Sequence, residues 1–324
     1  MQHSRRKFLK QAGLGVSAAF LSRYLYSCGA EALGSGPFHN IGIQLFSIRD
    51  LIAEDPVKTL ETVGKIGYKH VETFGVDASA ASFWNLKVPE LKKVLDDNGL
   101  KSHSGHYDMS KYLSRSQSQK ENIERYIEIA HDLGQSHIVA PVTPMDDINN
   151  LKVEDYQFAA DQLNKAGEMA KKAGIKVGYH NHFWEFRGFG NGTKGLDILL
   201  AFTQPELVDF ELDLFWIEKA GYTAQSYFEK YPGRFTMWHI KDMDKRFTTP
   251  VVGEAYDKAG FMDIMKEIKY TEVGTGAIDF INIANYADKA GLKYAFVEQD
   301  DIYMPNKFES IKKSYDYVQK FLTK

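Results

Sequence analysis

Short apolar runs alternate with longer amphipathic stretches along most of the chain. Residues 41–47 form a compact apolar run that reads as a buried strand. Asp55-Pro56 then opens a helix that closes near Gly67, with Pro at an early helical position. Residues 69–74 are a second strand. Apolar positions three and four apart make residues 88–97 helical, and Asn98-Gly99 stops that helix. Residues 100–106 are a third strand, 117–133 an amphipathic helix closed by Gly134, and 137–141 a fourth strand. A helix over 153–172 and a strand over 175–182 follow. The pattern then repeats three times, with helices at 196–202, 223–231 and 280–289 and strands at 208–212, 235–240 and 293–297. A short extra helix is expected within 256–267, and a final one at 307–322 closes the chain. Short apolar strands joined by crossover helices imply a parallel sheet covered on its outer face. Eight such units predict an α/β fold, a closed (β/α)8 TIM barrel. An open doubly wound sheet would need a glycine-rich phosphate turn after an early strand, and the sequence has none.

The first residues break this rhythm. Ser4-Arg5-Arg6-Lys7-Phe8-Leu9-Lys10 leads into an apolar, small-residue stretch from Ala12 to Leu21. No acidic residue precedes Glu31, and the stretch is too short to span a membrane as a helix. Basic, then apolar, then small is the layout of an export signal. S-R-R-K-F-L-K resembles the recognition motif of the twin-arginine pathway. Leu25-Tyr26-Ser27-Cys28 resembles a lipobox, which would make Cys28 the lipid anchor of an exported protein, periplasmic or membrane-attached. The expected organisation is an export signal at 1–27, a linker at 28–37 and one catalytic barrel at 38–324.

Composition narrows the picture little but usefully. The chain has 324 residues, one Cys, 40 Lys and Arg, and 43 Asp and Glu. One Cys excludes an intrachain disulfide and a Cys-rich zinc module. The balanced charge gives no sign of a nucleic-acid partner.

The polar residues that matter fall at strand ends, where barrels collect their chemistry. The fifth strand ends with His180 and His182, which share a parity if the strand continues. Glu211 and Asp213 share a parity at the end of the sixth. His239 and Lys241 end the seventh, and Glu298 the eighth. Imidazole and carboxylate ligands together suit one divalent metal ion such as Mn, Zn, Co or Fe. Such an ion polarises a carbonyl or hydroxyl and stabilises an enediolate. Gln44, Glu72, His103 and His106 lie on the first three strands, and His106 is the best placed of them to contact substrate. Phe46, Phe74, Tyr107, Trp184 and Trp216 are candidates to stack on a sugar ring. The glycines of Glu272-Val-Gly-Thr-Gly276 would permit close backbone approach to the substrate.

Five segments, G-Y-H-N-H-F-W-E-F, E-L-D-L-F-W, H-I-K-D, E-V-G-T-G-A-I-D-F and F-V-E-Q-D, carry a family resemblance. Over roughly residues 38 to 322 the chain resembles the sugar phosphate isomerase/epimerase superfamily, the xylose isomerase-like TIM barrels. The resemblance implies one divalent metal (Mn, Zn, Co, Mg or Fe) held by His180 or His182, Asp213, His239 and Glu298. It departs from the ketose 3-epimerases of that superfamily, which carry Glu rather than His on the fifth strand. Glu185 would supply the missing carboxylate if its loop folds back. Inosose-type dehydratases look closer, with His-x-His at this point. Glu298 is the first choice of catalytic base, with His239 orienting substrate and Lys241 stabilising an oxyanion or donating to a hydroxyl.

The leading expectation is a metal-dependent sugar isomerase or epimerase. It would abstract a proton alpha to a carbonyl of a non-phosphorylated sugar, keto-sugar or cyclitol. The alternatives are a lyase or dehydratase acting on a keto-sugar, keto-glycoside or inosose, and a non-catalytic carbohydrate-binding barrel. Export argues against a phosphorylated substrate, and no Arg-rich phosphate clamp occurs on the late strands. Oligomerisation is compatible with the sequence.

Overall fold

The computed structural model describes residues 37–118, 121–142, 148–190 and 192–323. The expected export signal, Cys28 and nearly all of the linker lie outside these residues. Within them, eight parallel strands close into a barrel. They are β1 (Gly42–Gln44), β2 (His70–Thr73), β3 (Lys101–His106), β4 (His137–Ala140), β5 (Lys176–His180), β6 (Val208–Asp213), β7 (Met237–Ile240) and β8 (Tyr294–Val297). Each strand pairs with the next, and β8 returns to β1 through Gly42 opposite Phe296 and Ile43 opposite Val297.

The outer layer follows from the amphipathic pattern. Helix α1 (Pro56–Ile66) starts where the Asp55 carboxylate accepts the Lys58 N–H at 3.0 Å, and it buries Leu60 and Val63. Helices α2 (Val88–Asp97), α3 (Ile123–Leu133), α4 (Val153–Lys171), α5 (Gly195–Phe202), α6 (Ala224–Lys230), α7 (Phe280–Ala284) and α8 (Lys307–Phe321) follow β2 to β8 in turn. Two expected helices change shape. The one placed at 117–133 begins at Ile123, because Asn122 caps it by accepting the Arg125 N–H. The one placed at 280–289 breaks into α7 and a turn at Ala287–Ala290.

The barrel interior is filled in levels, as such barrels are. Its floor holds His70, His103, His137, Asp209 and Tyr294; the His103 ring stacks on Tyr294 at 4.5 Å and meets His70 edge-on. A middle level holds Gln44, Glu72, Ser104 and Glu211, all fully buried. The top level holds His106, His180, Asp213, His239, Lys241 and Glu298. A register shift makes this arrangement fit: Val71 lies opposite Ser102 but Glu72 opposite Ser104. His103 is therefore an extra, bulged residue. It lets His103 and His106 both enter the barrel although an odd spacing sends them to opposite faces of a regular strand.

Candidate active site

Four donors from four successive strand ends meet at the top of the barrel. His180, Asp213, His239 and Glu298 are all buried, and one ligand atom from each lies within 4.8 Å of the others. Strand β5 stops at His180, and the chain then turns, so His182 does not continue the same face. His182 lines the pocket instead and stacks on Trp184 at 4.4 Å, nearly parallel. Of the two fifth-strand histidines, the geometry groups His180 with the other donors. Asp213 also anchors the backbone that follows it. Its Oδ1 accepts the N–H groups of Phe215 and Trp216 and starts the helical turn Leu214–Lys219. That anchor fixes Oδ2 toward the cluster.

Below these donors lies a second layer of carboxylates, Glu211 and Glu72. Neighbouring strands set its height: His180 pairs with Glu211, whereas His239 pairs with Asp213. Glu211 Oε2 lies 2.9 Å from His106 Nε2, 3.0 Å from His180 Nδ1 and 3.1 Å from His239 Nε2. Glu72 Oε2 lies 2.7 Å from His239 Nε2 and 3.2 Å from His106 Nε2. Gln44 and Ser104 donate to Glu72 at 2.8 and 2.6 Å. Gln44 and Glu72 were expected to bind substrate. They sit one level too deep, and their hydrogen bonds go to each other and to the imidazoles.

Charge is distributed unevenly over this cluster. Burial, then the Glu211 charge, raises the Glu72 carboxyl above its usual range. Burial would raise Glu211 too, but His239, His106 and His180 outweigh it and hold Glu211 well below that range. Burial and His239 lower His180 to about 3. Burial raises Asp213 to about 6 against the pull of Lys241. Lys241 sits 3.0 Å from Glu298, 3.3 Å from Asp213 and 2.7 Å from Asp300. Burial disfavours its charge, but the three carboxylates outweigh that and raise its pKa. An ammonium has three N–H groups, and three carboxylates engage them. Lys241 therefore has no donor to spare for a developing oxyanion unless one carboxylate lets go. Asp300, which the sequence did not single out, lines the pocket, and burial raises its pKa.

The pocket above is a cavity of about 340 Å³. Its base is polar, formed by His106, His180, His182, Lys241, Glu298 and Asp300, and the rest of its lining is largely apolar, with Phe46, Phe74, Val76, Tyr126, Pro141 and Val142 beside the exposed Asp108. Lys241 is the one Lys or Arg among its described lining residues. Several expected residues stand elsewhere. Glu185 is fully buried, accepting the Tyr179 O–H at 2.6 Å and the His182 N–H at 2.9 Å. Tyr179 alternates with His180 and so points out of the barrel, which draws Glu185 behind the wall, away from the pocket. Trp184 backs His182, and Trp216 packs its ring 5.2 Å from the Lys241 ammonium; neither lines the pocket. Tyr107 is buried against Gln135. The loop after Glu272 wraps the Asp242 carboxylate, which accepts the N–H groups of Gly274, Gly276 and Ile278. Gly276 permits close approach to Asp242, and Gly274 to the Tyr317 ring, rather than to a substrate.

Comparison with known proteins agrees with this architecture. A family model described as xylose isomerase-like TIM barrel matches residues 60–278. Inosose dehydratase of Clostridium beijerinckii is 29% identical over 171 residues, covering 51% of this chain and 54% of that protein. The chain thus spans about half the length of that relative. Inosose dehydratase of Geobacillus thermodenitrificans is 26% identical over 246 residues, covering 71% of this chain and 79% of that protein. The crystal structure of a sugar phosphate isomerase/epimerase from Parabacteroides distasonis superposes with a TM-score of 0.72 at 27% identity, covering 90% of this chain and 96% of that one. The structure of the IOLI protein with a binding zinc atom shares the fold, with a TM-score of 0.68 at 15% identity and coverages of 88% and 98%. Closed barrel and family match lead to one conclusion: the chain belongs to the xylose isomerase-like TIM barrels.

Proposed function

We propose that this chain is a divalent-metal-dependent lyase or dehydratase that removes a proton alpha to a carbonyl of a non-phosphorylated keto-sugar, keto-glycoside or cyclitol. The metal would be held by His180, Asp213, His239 and Glu298, a buried mixed donor set suited to Zn, Mn, Co or Fe. When bound, the ion polarises a carbonyl or hydroxyl of the substrate and acidifies the neighbouring C–H. Glu298 serves as base, since it lines the pocket and Lys241 with His239 keep it ionised against the cost of burial. Asp300 beside it pairs with Lys241 at 2.7 Å and lines the pocket, where it is placed to accept a hydrogen bond from the substrate. Lys241 holds the three carboxylates together rather than acting as a base.

The observation that carries elimination over epimerisation is the position of Glu185. An epimerase needs a base on each face of the reacting carbon; Glu185, the expected second carboxylate, is turned behind the barrel wall, and the polar lining residues other than Glu298, Lys241 and the aspartates Asp108 and Asp300 are histidines, apart from the Tyr126 hydroxyl. The names of the inosose dehydratase relatives support the same reading. The isomerase or epimerase reading is supported by the name of the Parabacteroides structure. Lys241, fully paired with carboxylates, leaves no free cation for a phosphate among the described lining residues, which favours an uncharged substrate.

The test is incubation of metal-loaded protein with keto-sugars and inososes in D₂O. Loss of water or release of an aglycone is the expected result. Deuterium at the alpha carbon with mass otherwise conserved would show epimerisation. Glu298→Gln is expected to lower turnover by roughly 10²- to 10⁴-fold; full retained turnover would remove Glu298 as the base. For residues 1–27 we propose export by the twin-arginine pathway, with Cys28 as a lipid anchor. Fractionation of cells expressing an Arg5→Lys, Arg6→Lys double variant, and fatty-acid labelling of Cys28→Ala, test the two parts separately.

A further inference from the structure

We infer that Glu211 is the positioning residue of this centre: one carboxylate oxygen that lies within 3.1 Å of three imidazoles, fixes the tautomer of His180 and, together with the nearer Glu72, that of His239, and turns their other nitrogens toward Asp213 and Glu298. The inference rests on the metal reading above. A neutral imidazole has one N–H and one lone pair, and the acceptor on one side decides which nitrogen carries which. His180 gives Nδ1 to Glu211 at 3.0 Å, and its Nε2 lies 3.6 Å from Asp213 Oδ2. His239 turns Nε2 toward Glu72 Oε2 at 2.7 Å and Glu211 Oε2 at 3.1 Å, and its Nδ1 lies 2.8 Å from Glu298 Oε2. The two rings use opposite nitrogens, yet in both the nitrogen toward Glu211 points down and the other up. A carboxylate below therefore leaves two lone pairs above, on the side of the remaining two donors.

Glu211 reaches both candidate ligand rings, whereas Glu72 reaches His239 but not His180. Glu72 reaches His239 and His106, and its oxygens already accept from Gln44 and Ser104. Glu211 touches both candidate ligand rings through Oε2, while its buried Oε1 has no hydrogen-bond partner. All of its hydrogen bonding among the described residues is thus directed at the imidazoles. The β5–β6 register, with His180 opposite Glu211, places the acceptor at the height of the ring it holds. His106, the third ring on the same oxygen, lines the pocket and ties substrate space to the same point.

The experiment compares wild type, Glu211→Leu and Glu211→Gln for zinc affinity by chelator competition, zinc stoichiometry, and imidazole tautomers by long-range ¹H–¹⁵N correlation of the zinc-loaded protein. Wild type is expected to bind one zinc per chain with the proton on Nδ1 of His180 and Nε2 of His239. Glu211→Leu is expected to weaken zinc binding roughly ten- to a hundredfold, the typical cost of removing an outer acceptor, and to mix the tautomers of His180, while Glu72 still holds Nε2 of His239. Glu211→Gln, which keeps one acceptor oxygen, is expected to fall between them, and it carries the test if the Leu variant does not fold. Unchanged affinity and tautomers in folded variants would overturn the role while leaving the metal reading intact. Two zinc ions in wild type falling to one, or one falling to none, in folded variants would overturn it too, since Glu211 would then be a ligand in the second donor group that it forms with His106, His180 and His239. A wild type that binds no divalent ion would take down the metal reading and this inference with it.

Discussion

At the scale of single residues, the site is governed by how many partners each polar atom has. Lys241 is the clearest case, with three N–H groups and three carboxylates. Replacing it by Met would leave Asp213 and Glu298 buried, with the partly buried Asp300 beside them, without a cation. Removal of one partner from a buried ionic group costs about 3–5 kcal/mol. Lys241→Met is therefore expected to lower stability by that order in chelated protein, read by denaturant unfolding, and excess zinc should restore part of it. No restoration by zinc would mean that the donor cluster does not hold a cation. The sequence made His180, Asp213, His239, Lys241 and Glu298 legible as a group because each ends a strand. It did not separate Glu211 from Asp213. Parity gives both the same face, and only the register with β5 and β7 puts one above the other. Glu185 was unreadable for a related reason: its partner, Tyr179, faces the opposite side of the strand from His180.

At the scale of elements, the strand–helix rhythm was fully legible and the interruptions were not. Residues 88–97 are the same helix in sequence pattern and structure, because Asn98-Gly99 is a strong stop. The bulge at His103 has no such marker, since it depends on how β2 and β3 align. The loop after Glu272 was legible as a loop but not in purpose. Gly276 lies so close to Asp242 that an added Cβ would come within 2.3 Å of its Oδ1 and of the Met243 carbonyl oxygen. Gly276→Ala is expected to destabilise the fold by about 2 kcal/mol or more, because rigid backbone lies on one side of the clash. Thermal unfolding checks this, and an unchanged midpoint would mean the loop can shift off Asp242 freely.

At the scale of the whole molecule, the two ends of the barrel answer differently to acid. On the floor, burial alone would raise Asp209, but hydrogen bonds from His137 at 3.1 Å and Lys176 at 2.8 Å outweigh it and bring its pKa from 3.8 to about 2. The unfolded chain takes up that proton first as pH falls. The stabilisation is thus complete above about pH 4 and lost between about pH 4 and 2, about 2 kcal/mol in all. Burial and His103 lower His70 from 6.5 to about 3, so this ring stays neutral in the fold while the unfolded chain charges it. Its contribution is present above about pH 6.5 and declines as pH falls toward 3. Stability is therefore expected to begin falling below neutrality. The stability gap between wild type and Asp209→Asn should shrink on acidification from pH 5 to 3; a gap independent of pH would refute the floor ion pairs.

The stacked His103 and Tyr294 rings, with His70 and His137 around them, also bear on traffic. With those rings filling that end, the doorway among the described residues is the mouth that Phe46 and Val142 help to line. Whatever enters must leave by the same route, so a departing product occupies the path of the next arrival. Throughput then depends on clearing that doorway, and accumulated product competes directly with fresh substrate for entry.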